Sequence, residues 1–390
     1  MKILHTGDWH IGRTLNQHSL LEDQAFALDG LLTILDREHP DVLLIAGDLY
    51  DRAVPSRDAM RLVDHTLTEI LLKKKIPIII IGGNHDGRER MDFANDILRE
   101  RGLYIVGQFT PAIDPIILNS PDGPVAFWPV PFIKPVEYRD ITHCAETPDY
   151  NGMYEAILKD ITIRHNPVIP NVLITHGLVL SGVPKDGDID ESVRPIEIGG
   201  ISYARSELFT DFDYVALGHL HRPQKVGCDS IRYAGSLLKY SFSEIHQKKS
   251  VTLVDVKKDT PAQIRTIPLP FRHDLRVITG EFDELTGLAA YTHPDREDYL
   301  RIILTNKERV PNPMEELRCV YPNIMEMGYE NAKTRIGGAL QENIKKHLSD
   351  PMALFLDFYQ TIHGEEPTPE QIAFVKQSFN AIKEEDHATA

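Results

Sequence analysis

Apolar and polar positions alternate along the first part of the chain in a way that predicts strands and helices in turn. Short apolar runs indicate buried strands at residues 3–4, 42–46, 76–81, 172–174 and 214–217. Apolar residues spaced three and four positions apart predict helices over 22–37, 56–73 and 91–101, and Pro55-Ser56 is a start signal for the second of these. Because strand–helix–strand alternation builds parallel sheets covered by helices, the pattern predicts an α/β fold.

After residue 111 prolines interrupt shorter strands, which predicts a second sheet or an irregular sheet edge. A helix is predicted over 154–164, and further strands are predicted over 232–234, 251–256 and 263–267. We therefore expect a four-layer α/β sandwich over residues 1–270, with two packed sheets flanked by helices. A small α+β domain, with a helix near 284–291, is expected over 271–335, followed by a helical tail over 340–385.

Two amphipathic helix faces have no partner that the sequence alone assigns. The first lies in the helix predicted over 56–73 and consists of Met60, Val63, Leu67, Ile70 and Leu71. This stripe either packs against the sheet or forms a dimer surface. The second lies in the tail and consists of Met352, Phe355, Leu356 and Tyr359. The tail either docks on a partner protein or packs back on its own domain.

Composition narrows the classes of function. The chain has 390 residues, of which 42% are hydrophobic, and a formal net charge of −16 at pH 7. Binding of nucleic acid through overall positive charge is therefore not expected. Phosphate contacts would come from local basic residues, for which the candidates are Arg13, Arg88 and Lys185, each of which is otherwise a solvated surface charge.

Cysteine usage and hydropathy bear on the compartment. The three cysteines form no C-x-x-C pair, so neither a zinc knuckle nor a disulfide framework is indicated, which suits a reducing cytoplasm. No signal peptide is recognisable, and the longest apolar stretch is too short to span a bilayer. We expect no membrane association.

Five short polar blocks follow predicted strands and carry the candidate chemistry: Asp8-Trp9-His10, Gly47-Asp48, Gly83-Asn84-His85-Asp86, Thr175-His176-Gly177 and Gly218-His219-Leu220-His221. Each block alone is weak, but five in this order are specific. Because the carboxyl ends of parallel strands meet in one crevice, the blocks are expected to converge. Glycines beside the ligands are expected to let the backbone turn sharply.

The side chains in these blocks are typical of a site for two metal ions. Asp48 can bridge two ions roughly 3.5–4 Å apart, as in two-metal phosphoryl-transfer enzymes. The other ligands divide into two groups, with Asn84, His176 and His219 on one ion and Asp8, His10 and His221 on the other. Oxygen and nitrogen ligands without a thiolate favour Mn²⁺, Fe or Zn²⁺ over Mg²⁺.

His85 adjoins Asn84 and need not be a ligand. With Asp86 following, a carboxylate–imidazole pair could hold the ring protonated near a scissile phosphate. There the ring would stabilise negative charge or protonate the leaving oxygen, while a water between the two metals attacks phosphorus in line. His85 and Asp86 are therefore the candidate catalytic residues.

The ordered blocks resemble the calcineurin-like metallophosphoesterase family. Residues 2–12, 47–55, 218–224, 233–236 and 241–244 are similar, more narrowly, to the nuclease subunits of bacterial DNA double-strand-break repair complexes. That resemblance implies a Mn²⁺-dependent 3′→5′ exonuclease on double-stranded DNA and a hairpin-opening endonuclease, acting in repair, recombination and replication. It also implies a nucleoid-associated homodimer that forms a heterotetramer with two copies of an ATP-binding coiled-coil protein.

The same resemblance implies roles for individual regions. It makes the metal ligands the seven residues named above and His85 a catalytic residue that binds no metal. Residues 271–335 would cap DNA, residues 340–385 would dock near the root of the partner's coiled coil, and helices 56–73 and 91–101 would form the dimer contact. Some relatives carry histidine where this chain has Asp51, so the contact of this position with substrate is left open.

Two other functions compete with the nuclease hypothesis. A phosphomonoesterase or cyclic-nucleotide phosphodiesterase could use the same metals, but its catalytic domain would not need the residues after 270. A scaffold for the ATPase would not need a complete ligand set. Both features of the sequence favour the nuclease.

Overall fold

Two six-stranded sheets form the centre of the N-terminal part of the chain in the computed structural model, which describes residues 1–182, 203–330, 352, 355–356, 359 and 366–376. In chain order the strands are β1 (Lys2–Thr6), β2 (Thr14–Leu15), β3 (His18–Ser19), β4 (Val42–Ala46), β5 (Ile78–Ile81), β6 (Leu103–Val106), β7 (Ile116–Ser120), β8 (Gly123–Val130), β9 (Asn171–His176), β10 (Val179–Leu180), β11 (Ala204–Arg205), β12 (Tyr214–Gly218), β13 (Gln224–Val226), β14 (Cys228–Tyr233), β15 (Ser250–Lys257), β16 (Thr260–Pro268), β17 (Leu275–Gly280), β18 (Tyr299–Leu304) and β19 (Ile324–Tyr329).

The helices connect these strands. They are α1 (Leu21–Glu38), α2 (Arg57–Thr68), α3 (Arg88–Met91), α4 (Asn95–Arg99), α5 (Pro135–Thr142), α6 (Tyr150–Ile163), α7 (Phe282–Leu285), α8 (Leu288–Tyr291) and α9 (Pro313–Val320). Helix α2 continues as a π-helical turn over Glu69–Lys74, and 3₁₀ turns cover Ser206–Phe209 and Phe242–Glu244. In the part of the chain that the structure describes, no helix is long and apolar enough to cross a membrane.

Both large sheets are parallel at their centres and antiparallel at their edges. The first has the order β16-β15-β1-β4-β5-β6, in which β1, β4, β5 and β6 run parallel and β15 and β16 form an antiparallel hairpin. The second has the order β13-β14-β12-β9-β8-β7, in which only β13 and β7 are antiparallel to their neighbours. The strand–helix alternation predicts the parallel centres, and short hairpins add the antiparallel edges.

Alternating side chains on the strands build the layers of this sandwich. In β4, Val42, Leu44 and Ala46 lie in one buried cluster with Phe127 and Val172 of the second sheet. The opposite face of the second sheet packs against α6. The apolar faces of α1 and α2 are also buried, as expected for crossover helices that cover the first sheet. The four-layer α/β sandwich predicted from the sequence is confirmed.

Several predicted helices differ from the observed ones for local reasons. The helix predicted over 91–101 is wrong: two short helices, α3 and α4, flank Ala94, whose φ is 59°. There the Asp92 carboxylate accepts from the Gly107 N–H at 2.7 Å, and side-chain bonds of this kind compete with a continuing helix. The helix predicted near 284–291 is also divided, into α7 and α8. Helix α6 begins earlier than predicted because Asp149 caps it, accepting from the Gly152 N–H at 2.7 Å.

The described chain forms two units, which divide after Arg276. Residues just before the division pair within the N-terminal unit, where His273 Nδ1 lies 2.9 Å from Asp23 Oδ1 and Lys239 pairs with Asp274 at 2.7 Å. In the second unit β17, β18 and β19 form one sheet, and buried residues of β18 and α9 share a small core. Most of the predicted tail lies outside the described residues, although 369–376 are helical.

Candidate metal centre

All five polar blocks lie at carboxyl ends of parallel strands, and both large sheets contribute. Asp8, Asp48 and Asn84 follow β1, β4 and β5 of the first sheet. His176 ends β9, and His219 and His221 follow β12, both strands of the second sheet. Because the two sheets pack face to face, their carboxyl ends form one site in which residues more than 200 positions apart are neighbours: the His219 N–H donates to both oxygens of Asp8, at 2.9 and 3.1 Å.

Four candidate ligands have left-handed backbone, which is uncommon for residues other than glycine. The φ values are 50° at Asp8, 45° at His10, 50° at Asp48 and 110° at His219. Such strain is typical of functional sites and persists only where surrounding structure enforces it. Here the Asp8 N–H donates to the Gly47 carbonyl at 3.0 Å and the His10 N–H to the Asp48 carbonyl at 2.9 Å, so the two loops fix each other.

The glycines beside the ligands serve close approach more than sharp turning. Among Gly7, Gly47, Gly83, Gly177 and Gly218, only Gly47 has a positive φ, of 85°. A Cβ at Gly83 would lie 2.1 Å from Asp48 Oδ1, and one at Gly218 would lie 1.8 Å from the Ala46 carbonyl oxygen. The expectation of sharp turns was therefore wrong at four of these positions. Side chains at Gly83 and Gly218 would push the neighbouring loops apart.

One group of donor atoms forms around the Asn84 side chain. Its Oδ1 lies 3.0 Å from His176 Nε2 and 3.0 Å from His219 Nδ1. His176 is oriented by its other ring nitrogen, because Nδ1 donates to the Ala46 carbonyl oxygen at 2.8 Å. An amide oxygen and two imidazole nitrogens therefore converge on one point.

A second group forms around His10 and His221, whose Nε2 atoms lie 3.2 Å apart. Asp48 lies between the two groups: its Oδ2 is 3.6 Å from His10 Nε2 and 3.4 Å from His176 Nε2. Asp8, Asp48 and His176 also offer ligand atoms that all lie within 4.8 Å of one another. His10 and His221 thus lie together, as do Asn84, His176 and His219, with Asp48 between the two groups, while Asp8 also approaches His176. The division of the ligands between two ions stays a prediction.

These distances and one unpaired atom fit bound cations. Two ligands on one ion, with bonds of about 2.0–2.1 Å, lie roughly 2.9–3.4 Å from each other, which is the separation within each group. Two facing imidazole nitrogens require either a shared proton or a cation between them. His10 Nδ1 is buried and has no hydrogen-bond partner, and Asp51 Oδ1 lies 3.7 Å from it. The site is suited to two divalent ions.

Burial and nearby carboxylates shift the pKa values of the histidines in this site in opposite directions. Burial lowers the pKa of His219 to about 3 and the pKa of His10 well below its usual value, which keeps both rings neutral, as a metal ligand must be. Burial acts in the same direction on His176, but the Asp48 and Asp8 charges outweigh it and raise the pKa of His176 to about 9. Burial raises the pKa of Asp8 to about 6, against the nearby His176 and His221. Without cations, protons balance these charges.

His85 lies beside the donor groups but is held differently from the sequence expectation. Its ring nitrogen Nδ1 donates to the backbone oxygen of Asp51 at 2.9 Å, and its backbone N–H donates to Asp48 Oδ1 at 2.8 Å. The Asp86 carboxylate instead accepts from the N–H groups of Gly83 at 2.9 Å, Tyr50 at 3.0 Å and Leu49 at 3.2 Å. The expected carboxylate–imidazole pair is therefore wrong, because Asp86 joins the loops after β4 and β5.

The basic residues predicted to contact substrate differ in how close they lie to the candidate metal ligands. Arg13 pairs with Asp51 at 2.8 Å, beside His10, and lies over the Tyr240 ring. Arg88 makes two 2.9 Å contacts with Glu137 and donates to the Phe132 carbonyl, so its guanidinium is used within the fold. Lys185 lies outside the described residues. Asp51 also approaches His10, with 3.7 Å between its Oδ1 and His10 Nδ1.

Three buried polar residues of the site had no assigned role in the sequence analysis. The Gln24 amide donates to the His10 carbonyl at 2.8 Å, and the Tyr240 hydroxyl donates to the Trp9 carbonyl at 2.5 Å. Glu244 accepts from His221 Nδ1 at 2.9 Å. Of the three, only Glu244 lies in a segment, residues 241–244, that the sequence analysis compares with the nuclease subunits. No local pattern pairs these residues with ligands far away in sequence.

The chain is similar to known proteins over most of its length. Residues 1–223 match the family described as calcineurin-like phosphoesterase, and residues 271–362 match a domain described as type 5 capsule protein repressor C-terminal domain. A Staphylococcus epidermidis protein, named as the SbcD component of the nuclease SbcCD, is 36% identical over 84% of this chain and 85% of its own length. A Staphylococcus saprophyticus protein of the same name is 34% identical over 99% of both chains.

Replacing the central carboxylate tests the metal centre. We expect Asp48→Asn to weaken binding of both divalent ions by at least about 10-fold each. Loss of a residue that only orients a ligand lowers metal affinity by about this factor, and loss of a bridging ligand should lower it at least as much. Calorimetric titration of the metal-free protein with Mn²⁺ measures this. Asp213→Asn is the matched control, since this carboxylate lies at the opposite end of β12 and accepts from the Asn171 N–H at 2.8 Å. Unchanged binding in Asp48→Asn would contradict the assignment.

Proposed function

Since the chain belongs to the calcineurin-like phosphoesterase family, in the branch of the SbcD nucleases, we propose that it is the Mn²⁺-dependent nuclease subunit of a complex with an SbcC-type ATPase. The chain is a metal-dependent phosphodiesterase by family. The proposed reactions are 3′→5′ degradation of double-stranded DNA ends and endonucleolytic opening of hairpins. The observation that carries the proposal is the convergence of seven ligands from two sheets, with His85 beside them.

The donor set supports a binuclear centre and is compatible with several metals. Asn84, His176 and His219 would hold one ion and Asp8, His10 and His221 the other, with Asp48 shared. Bound divalent ions supply an activated water and stabilise charge on the phosphoryl group. Mixed oxygen and nitrogen ligands suit Mn²⁺, and Fe, Zn²⁺ or Mg²⁺ are the alternatives.

His85 is proposed to act directly on the phosphodiester. Because the Asp51 carbonyl oxygen can only accept, Nδ1 of His85 carries a hydrogen and Nε2 is the ring atom left for substrate. The ring stands edge-on to His10, with 4.8 Å between the centroids. From this position Nε2 in its protonated form can donate to a phosphoryl oxygen or to the leaving oxygen.

The charge of the chain bears on how DNA is held. With a net charge of −16, the protein repels the DNA backbone except where metals and local cations offset the repulsion. Arg13 is the basic residue best placed for this, since it lies beside His10 and is partly exposed. An ATPase partner would supply most of the remaining contacts.

Exposed apolar residues support the proposed homodimer, which we propose forms a heterotetramer with two copies of an SbcC-type ATPase. Phe93 is 81% exposed and Ile97 71% exposed, next to or within α4, and Met60 is 46% exposed on α2. Of the stripe predicted on that helix, Val63 and Ile70 are buried, so it divides between core and surface. Clustered exposed apolar groups are typical of protein contacts, and the proposed dimer would cover these three side chains.

The nuclease activity is tested first. We expect Mn²⁺-dependent shortening of a blunt, end-labelled duplex from its 3′ ends, increased by the ATPase partner and absent in Asp48→Asn. A phosphomonoester substrate is incubated in parallel. Hydrolysis of the monoester with an intact duplex, even with the partner present, would instead indicate a phosphatase.

The role of His85 is tested by His85→Ala. We expect binding of two Mn²⁺ ions to persist and the rate of DNA cleavage to fall about 10²–10⁴-fold, the usual contribution of a general acid. Repeating the assay with a nitrophenyl phosphodiester, whose leaving group needs no proton, separates the two roles. A much smaller loss indicates protonation of the leaving oxygen, and an equal loss indicates stabilisation of the phosphoryl charge. His246→Ala, at an exposed position, is the control, and full activity of His85→Ala would refute the assignment.

The dimer surface is tested by placing charge on it. We expect Phe93→Asp combined with Ile97→Asp to convert a dimer into a folded monomer, because buried carboxylates without partners oppose association. Light scattering after size-exclusion chromatography measures the mass. Ile163→Asp changes an equally exposed apolar residue on α6 and should leave the dimer intact. A dimer that survives the double change would place the contact elsewhere.

A further inference from the structure

A buried ion pair next to the metal centre has no role in the sequence blocks. Glu244 lies at the end of the 3₁₀ turn Phe242–Glu244 and its side chain is fully buried. One carboxylate oxygen, Oε1, accepts from His221 Nδ1 at 2.9 Å. The other, Oε2, accepts from Lys249 Nζ at 2.7 Å and from the Tyr240 N–H at 3.2 Å. Both oxygens of this carboxylate are therefore satisfied.

Lys249 is almost as buried and is also fully engaged. Besides Glu244, its ammonium donates to the His221 carbonyl oxygen at 2.8 Å and to Gln247 Oε1 at 2.7 Å, which uses all three of its hydrogens. A lysine–glutamate pair taken this far from water contributes little net stability, because desolvation offsets the attraction. The pair instead fixes the position of His221. Glu244 accepts a hydrogen bond from the ring of His221, and Lys249 donates one to the backbone carbonyl oxygen of His221.

The hydrogen bond to Glu244 determines which ring nitrogen of His221 faces the metal centre. A carboxylate can only accept here, so Nδ1 carries the hydrogen and Nε2 presents a lone pair. That Nε2 is the atom 3.2 Å from His10 Nε2. The corresponding nitrogen of His176 donates to a backbone carbonyl instead, and His219 directs its Nδ1 to Asn84. The two metal positions are thus supported by different chemistry.

We propose that Glu244, held by Lys249, is the positioning residue of His221 and sets the affinity of the metal position formed by Asp8, His10, Asp48 and His221. The position formed by Asn84, His176 and His219 does not depend on it. The negative charge of Glu244 makes Nε2 of His221 a stronger electron-pair donor to a metal ion. The fixed tautomer removes the cost of reorienting the ring. This inference rests on the proposed ligand assignment.

A second contact from the same segment supports the proposal. The Tyr240 hydroxyl donates to the Trp9 carbonyl at 2.5 Å, and the Gln24 amide joins Tyr240 to the carbonyl of His10. The Tyr240 ring stands edge-on to both His10 and His221, at centroid distances of 5.6 and 5.8 Å. Residues 240–249 therefore position both histidines of one metal position, and the contacts described here reach neither histidine of the other.

The test is Mn²⁺ titration of the metal-free full-length chain, followed by calorimetry and by electron paramagnetic resonance. In wild type we expect two bound ions with a spin-coupled signal. In Glu244→Gln we expect one binding step weakened about 10–100-fold and the other unchanged, so that one equivalent of Mn²⁺ gives an uncoupled signal. Glu244→Gln combined with Lys249→Met should behave in the same way without leaving a buried lysine charge unpaired.

The control is Asp23→Asn. Asp23 is equally buried, and its Oδ1 lies 2.9 Å from His273 Nδ1, the same contact as between Glu244 and His221, but His273 is not a ligand. Both binding steps should be unchanged. Two normal steps in the Glu244 variants would overturn the proposal, as would equal weakening of both steps, which indicates general damage to the site. Failure of wild type to bind two Mn²⁺ ions would refute the ligand assignment on which the proposal rests.

Discussion

Two carboxylates withdrawn from water, Asp8 and Asp48, are the constraint on which the rest of this site depends. Both are almost completely buried where the carboxyl ends of two packed sheets meet. A buried charge is costly unless it is hydrogen-bonded and paired. Backbone N–H groups of His219 and His85 satisfy part of the need, and the remaining oxygens face imidazoles. Cations between these groups are the natural complement to such a concentration of donors.

Meeting that constraint strains the loops, and the sheets hold them in place. Asp8, His10 and Asp48 adopt left-handed backbone, which unsupported loops would relax. The strands before them are buried on both faces, so the loops start from fixed points. Asp86 adds a second restraint by collecting three backbone N–H groups from two loops. Rigid placement of this kind is what two-metal chemistry requires, since ligand positions decide where attacking and leaving groups lie.

In the proposed ligand assignment, the two metal positions are supported by different kinds of contact. The position near Asn84 is oriented by a backbone carbonyl, whereas the position near His221 is oriented by a carboxylate and a lysine brought in by a later segment. Backbone support cannot be changed by substitution of a side chain, but side-chain support can. Under the proposed assignment, the affinity of the second position would therefore respond to substitutions outside the ligand set.

The sequence by itself determined the strands, the polar blocks at their ends and the types of ligand, because each is written in a few adjacent residues. It also predicted that Asp48 bridges two ions, since each of the two oxygens of a carboxylate can bind one ion, and this grouping stays a prediction. Tertiary structure alone decided that Asp86 joins loops rather than pairing with His85, that Arg88 is bound to Glu137, and that Glu244 supports His221. It also decided that Ala94 interrupts a helix. The physical reason is that hydropathy periodicity describes a segment and its own neighbours, whereas a hydrogen bond between residues 24 and 240 depends on how two sheets pack.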